Sequence, residues 1–153
     1  MDSLTADEMA LWHAWKLASE TVRTRVAADI TAATGLSGPD FAVLTRVAEL
    51  GAGRLRQSNL ADLMGYHRSR LSHHLSRMAE RGLVTREPAG AGVDVVITEA
   101  GRAAVAVARP VHATAVRQHL LGQLTDGDLA ALRIALGHLA PPAGANSSEL
   151  ADG

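Results

Sequence analysis

Along the chain the spacing of apolar residues changes period several times, and each change marks an element. Leu11, Trp15, Ala18, Val22 and Val26 step by three or four across 11–30, which predicts a long amphipathic helix closing near Gly35. Ser37, with Asp40 three residues on and Phe41, Leu44 and Val47 behind it, predicts a second, capped helix that Gly51 and Gly53 end. Two short helical patterns follow, over 56–64 and from about 68, and meet at Gly65-Tyr66-His67. Over 84–98 the pattern turns to strands, with Val93, Val95, Val96 and Ile97 beside a Gly90-Ala91-Gly92 tip. Thr98 offers a cap for a helix over 99–121 that contains Pro110, where a bend or a change of packing partner is expected. Thr125 and Asp128 form a capping box for a last helix bearing Leu129, Leu132, Leu136 and Leu139, stopped by Pro141 and Pro142. The small, polar tail over 141–153 is expected to be disordered.

The helix after Gly65 organises the rest. Leu71, Leu75 and Met78 form one apolar stripe, and at about 100° per residue Ser69, Ser72, His73 and Ser76 fall opposite it, with Arg70, Arg77 and Arg81 on its flank. A polar face alone usually means a solvated helix. Here three features change that reading. Two helices joined by a tight turn form a helix-turn-helix, the hairpin that follows makes it a winged one, and the positive charge is concentrated: 54–86 holds seven arginines against Asp62 and Glu80 in a chain of formal net charge −1. Such a patch is what neutralising phosphates requires.

Position sorts the outward residues into roles. Arg68, Ser69, Arg70, Ser72 and His73, near the start of that helix, are assigned to base edges, an arginine fork on guanine being the strongest single contact. His74 and Arg77 lie further along and suit phosphates, as do Gln57 and Ser58 at the supporting helix's N-terminus. His67 reads equally as a helix cap and as a DNA contact, and Arg81 equally as an internal ion pair and as a DNA contact. Tyr66 is expected to pack against the turn.

Composition narrows the class. The 153 residues fit one domain, and a hydrophobic content of 47% with only 3% aromatic residues describes a helical core of Ala, Leu and Val. No run approaches the roughly 20 apolar residues of a membrane span, and no basic segment followed by an apolar one opens the chain, so a cytoplasmic protein is expected. With no cysteine, disulfides, thiolate metal sites and thiol-based oxidant sensing are excluded.

The runs LSGPDFAVLTRVAELGAGRLRQSNLADLMGYHRSRLSHHLSRMAERGLVTREP, VVITEAGRAAVAVARPVH and LTDGDLAALRIALGHL together resemble the MarR family of bacterial transcriptional regulators, over nearly the whole chain. The resemblance implies a mostly α fold with a small β-wing: one domain over 1–140, its winged helix-turn-helix at about 36–98 and dimerisation helices at about 5–34 and 99–140. It implies a short strand at Leu55, a homodimer on double-stranded, palindromic DNA, repression as the default outcome, and no membrane partner or cofactor. It also implies a small aromatic or phenolic effector bound between the dimerisation helices and the winged module. Trp12, His13 and Trp15 suit that pocket by position, with Lys16, the single lysine, or Arg46 as the cation for an acidic ligand, although either tryptophan alone reads more readily as helix packing. The resemblance also implies a wing tip that commonly carries an arginine for the minor groove. This chain has none between Glu87 and Thr98, which leaves Arg86 at the wing's base as the expected contact.

No nucleophile elbow, phosphate loop, HExxH or paired-carboxylate motif is present, so an enzyme is not expected. His112 and His119 share a helix face but stand about 10 Å apart along it, too far to hold one metal ion unaided. A metal-responsive regulator, and a winged helix that binds protein instead of DNA, stay as alternatives.

Overall fold

Helix caps set most of the element boundaries in the computed structural model, which describes residues 3–140. Six α-helices and three strands run in the order α1 (Ala6–Thr34), α2 (Gly38–Leu50), β1 (Arg54–Arg56), α3 (Gln57–Met64), α4 (Arg68–Glu80), β2 (Val84–Ala89), β3 (Gly92–Ile97), α5 (Glu99–His119) and α6 (Asp126–Leu139). Reciprocal side-chain and backbone bonds cap α1 through Thr5 and Glu8, α2 through Ser37 and Asp40, and α6 through Thr125 and Asp128. Gly35 closes α1 and Gly65 closes α3 in the left-handed conformation that glycine tolerates. The expected strand at Leu55 is present. The tail expected to be disordered lies outside the described residues.

The strands form one antiparallel sheet in the order β1-β3-β2, with Leu55 opposite Val95 and Arg86 opposite Val95 on the other side. Its inward residues join a core of Val43, Leu44 and Val47 from α2, Leu60 from α3, and Leu71, Leu75 and Met78 from α4. The stripe read from the sequence is thus the buried edge of α4: all three of its residues are 0% exposed.

The long helix α5 continues through Pro110 and serves two parts of the molecule. Before the proline it buries Gly101, Val105 and Ala108 against the winged module. Beyond it Ala115 is buried and His119 meets Asp29 of α1 at 2.7 Å. The first half of α1 and nearly all of α6 cover nothing in their own chain. Leu11, Leu17, Ile134 and Leu139 are exposed, and α6 has no buried residue. No helix among the described residues is long and apolar enough to cross a membrane.

Gly101 is where α5 meets the sheet. A Cβ there would collide with the carbonyl oxygen of Leu83 and lie 2.8 Å from Cγ1 of Ile97. Gly101→Ala should therefore force α5 off the sheet and cost about 1–3 kcal/mol of stability, read as an earlier midpoint in urea denaturation; an unchanged midpoint would show that the contact yields freely.

Candidate nucleic-acid interface

The turn between α3 and α4 is rigid for local reasons. Gly65 adopts φ of 64°, and the Tyr66 amide donates to the Ala61 carbonyl at 3.0 Å. His67 then caps α4, its Nδ1 accepting from the Ser69 amide at 3.3 Å with the Ser69 hydroxyl 2.8 Å away. Of the two roles read for His67, the cap is the one the geometry displays. Tyr66 packs against the core as expected, and its ring also carries the Arg70 guanidinium 3.9 Å from its centroid. That stacking fixes the direction in which Arg70 leaves the helix.

Arg68, Ser69, Arg70, His73 and Arg77 are exposed on α4. Ser72 is less free. Arg86 crosses from β2 and donates to the Ser76 hydroxyl at 2.7 Å and the Ser72 hydroxyl at 3.4 Å, so the residues expected to meet DNA from wing and helix separately form one unit. Gln57 and Ser58 border a cavity of about 150 Å³ with Arg68 of α4 and Val93 of the wing, and the Gln57 Oε1 atom is buried with no hydrogen-bond partner among the described residues. The supporting helix, the recognition helix and the wing therefore converge at one edge.

The assignment of His74 to a phosphate is corrected: the residue is buried, only 8% exposed. It sits three residues after Leu71 and four before Met78, on the shoulder of the apolar stripe, and its angular position turns it toward α2. Nε2 lies 3.1 Å from the Asp40 carboxylate, off the axis of a good hydrogen bond, while Arg77 approaches Nδ1 at 3.3 Å. Asp40, itself buried, accepts from Arg81 at 2.6 Å and from the Ser37 amide at 2.9 Å. Arg81 is thus an internal ion pair. Burial raises the Asp40 carboxyl, but the Arg81 hydrogen bond, the Ser37 amide and the charges of Arg81 and His74 together hold it below the usual carboxylate range. For His74 burial dominates, and with repulsion from Arg77 and Arg81 it outweighs the pull of Asp40 and lowers the imidazole from its ordinary value.

Folding also redistributes the charge counted along 54–86. Arg54 meets Glu87 at 2.5 Å and Asp94 at 3.4 Å, Arg56 meets Asp94 at 3.4 Å, and Arg81 meets Asp40. All three carboxylates come from outside that stretch. Among the described residues Arg68, Arg70, Arg77 and Arg86 pair with no carboxylate, so the uncompensated patch is smaller than the count along the chain and lies on α4 and the base of β2.

A second cavity, of about 520 Å³, lies between α1, α2, α5 and the turn, lined among others by Val26, Phe41, Arg46, Tyr66 and His112. Of the residues expected to hold an effector, only Arg46 reaches it. Trp12, His13, Trp15 and Lys16 are exposed on the first half of α1, which projects clear of the winged module, and Lys16 stands 5.7 Å above the Trp12 ring. Arg23, Tyr66 and His112 line the cavity instead. They come from three elements, so no local spacing announces them. His112 stacks near Phe41 with ring centroids 5.0 Å apart.

Comparison with known proteins places this geometry. The model of the MarR family matches residues 34–92. AbsC of Streptomyces coelicolor, a MarR family transcriptional regulator, is 30% identical, with 91% of this chain and 95% of AbsC covered at a TM-score of 0.79. Sco3205 of the same organism, a MarR family regulator solved in complex with DNA, is 29% identical over 95% of this chain and 96% of its own at the same TM-score of 0.79. MarR of E. coli, solved as a mutant with operator DNA, shares the fold at 20% identity and a TM-score of 0.78, with 92% of this chain and all of that one covered. No curated protein matches the chain.

The buried imidazole has a pH signature. Because the folded pKa of His74 lies below the unfolded value of about 6.5, the unfolded chain takes up a proton first. The stability contributed by the neutral ring is complete above that value and declines as pH falls; Asp40, held low, stays charged through the same window. Thermal melts at pH 7.5 and 5.0 should show a smaller acid-induced drop for His74→Asn than for the unaltered chain. Equal drops would remove His74 as a source of acid sensitivity.

Proposed function

The chain belongs to the MarR family of transcriptional regulators, DNA-binding proteins and not enzymes, and on that premise we propose that it acts as a homodimer on a near-palindromic operator and represses the genes it covers. The observation that carries this reading is the exposed face of α4, where cations without carboxylate partners stand on a helix locked to the core by Leu71, Leu75, Met78 and the Asp40 cluster. A preset helix loses little freedom on entering a major groove. Arg70, steadied by Tyr66, is the principal base reader, with Arg68, Ser69 and His73 beside it. Arg77, Gln57 and Ser58 contact phosphates, and Arg86 acts with Ser72 at the junction of helix and wing.

The proposed dimer rests on apolar surface left uncovered within one subunit. Leu11, Trp12 and Trp15 of α1 and Ile134 and Leu139 of α6 are all at least 45% exposed, an arrangement a two-fold partner would bury. The two tryptophans and Lys16 thereby become interface residues. Pairing two copies in this way sets two α4 helices about one helical turn of DNA apart.

The cavity between α1, α2, α5 and the turn supports an effector. Its lining is mainly apolar and includes Arg23, Arg46 and His112, which suits a small aromatic acid or phenol. Such a ligand releases DNA only by binding the non-DNA-binding arrangement more tightly.

Gel-shift of the DNA flanking the chain's own gene, against nonspecific competitor, tests the reading. Arg70→Ala should weaken operator binding by about 1–3 kcal/mol and relax one base position while leaving nonspecific binding nearly unchanged; equal loss on every sequence would move Arg70 to the backbone. Sedimentation at micromolar concentration should return a dimer. A monomer would overturn the two-fold arrangement.

A further inference from the structure

Resting on the DNA-binding reading, we propose that Arg56, which lies outside the wing hairpin on β1, supplies the wing's contact with the DNA backbone and minor groove flanking each half-site. The hairpin itself offers no cation past Arg86. Strand register shows where one is brought in. Arg56 stands opposite Asp94, and Asp94 opposite Glu87, so these three share the outer face of the sheet with Arg54, while Leu55 and Val95 face the core.

From that position the Arg56 side chain runs toward the tip. Its Nε lies 3.4 Å from Asp94 Oδ1, and its Nη1 donates at 2.6 Å to the carbonyl of Ala89, the last residue of β2. Gly92 makes this path possible. A Cβ there would run into Nη1 and lie 3.3 Å from Cδ, so the guanidinium occupies the space a tip side chain would take. Gly92 does not have a positive φ, so the bar to a side chain there is Arg56 and not the backbone.

Arg54 takes up Glu87 and the second oxygen of Asp94. Arg54 and Arg56 together balance the charge of Glu87 and Asp94, while the Nη2 donors of Arg56 are left without partners among the described residues. The Arg56 side chain is 38% exposed. A guanidinium anchored at one edge and open at the other is preorganised for a phosphate fork or for the focused negative potential of a narrow minor groove. The inner face of the wing borders the start of α4 through Val93, Gln57 and Arg68. With α4 in the major groove, the tip therefore falls over the adjacent backbone.

The experiment compares the unaltered chain with Arg56→Ala, Gly92→Arg and the double variant, measuring operator affinity against salt, hydroxyl-radical footprints and thermal melts. Arg56→Ala should lose about ten-fold in affinity and flatten the salt slope by about one per subunit, with protection lost at the flanks and kept at the centre. Gly92→Arg alone should bind less well because the two side chains collide. The double variant should recover most of the affinity, since removal of one arginine opens the space for the other; a merely structural role for Arg56 would lower the melting temperature, blur the central footprint and gain nothing from Gly92→Arg. If Arg56→Ala binds with unchanged affinity and salt slope, the inference fails while the DNA-binding reading stands. If the unaltered chain protects no DNA, both fail.

Discussion

One buried carboxylate fixes the reading head to the body of the protein. Asp40 completes the cap of α2 and, from the same two oxygens, meets Arg81 at the end of α4 and His74 in its middle. An ionised group this deep is tolerable because Oδ2 accepts from Arg81 and the Ser37 amide, with the His74 ring beside Oδ1. A consequence is geometric: α4 cannot tilt relative to α2 without leaving part of that charge unanswered. The apolar stripe supplies the attraction between the helices, but apolar contact is non-directional, and Asp40 adds the direction.

A similar economy governs the cations. Positive charge near DNA is useful only where it is not already satisfied, and in this chain acids beyond the basic stretch select which arginines remain available. Arg81 is spent on architecture, and Arg54 on Glu87 and Asp94. What remains lies on α4 and at the wing. Arginines that also touch a neutral partner, as Arg70 touches Tyr66 and Arg86 touches two serines, keep their charge while losing rotational freedom.

Much of this fold can be read locally. The capping pairs Ser37–Asp40 and Thr125–Asp128, the stripe of Leu71, Leu75 and Met78, and the turn at Gly65 each depend on residues within one or two turns of one another, and each appears where the spacing puts it. The start of α1 shows the limit of one signal: apolar stepping puts it near 11, whereas the Thr5–Glu8 pair puts it at 6, because the first turns have no core of their own to bury. The site is less legible for the same physical reason in reverse. His74 is buried by Asp40, 34 positions earlier, Ser72 is covered by Arg86 from another strand, and the cavity near Tyr66 is walled by residues from helices far apart in sequence. Side-chain periodicity describes one element's faces and cannot say what neighbour arrives at them.

The last helix leads to a conclusion about how this chain holds its shape in a cell. With nothing of α6 buried in its own subunit, its helicity there has only an end cap and residue preference behind it, and an isolated helix of about 14 residues is marginal in water. In the proposed dimer its order would be borrowed from the subunit that covers it, and by mass action such order grows with the concentration of that subunit. The melting of this segment would report how much covering partner is present as well as the protein's own cohesion.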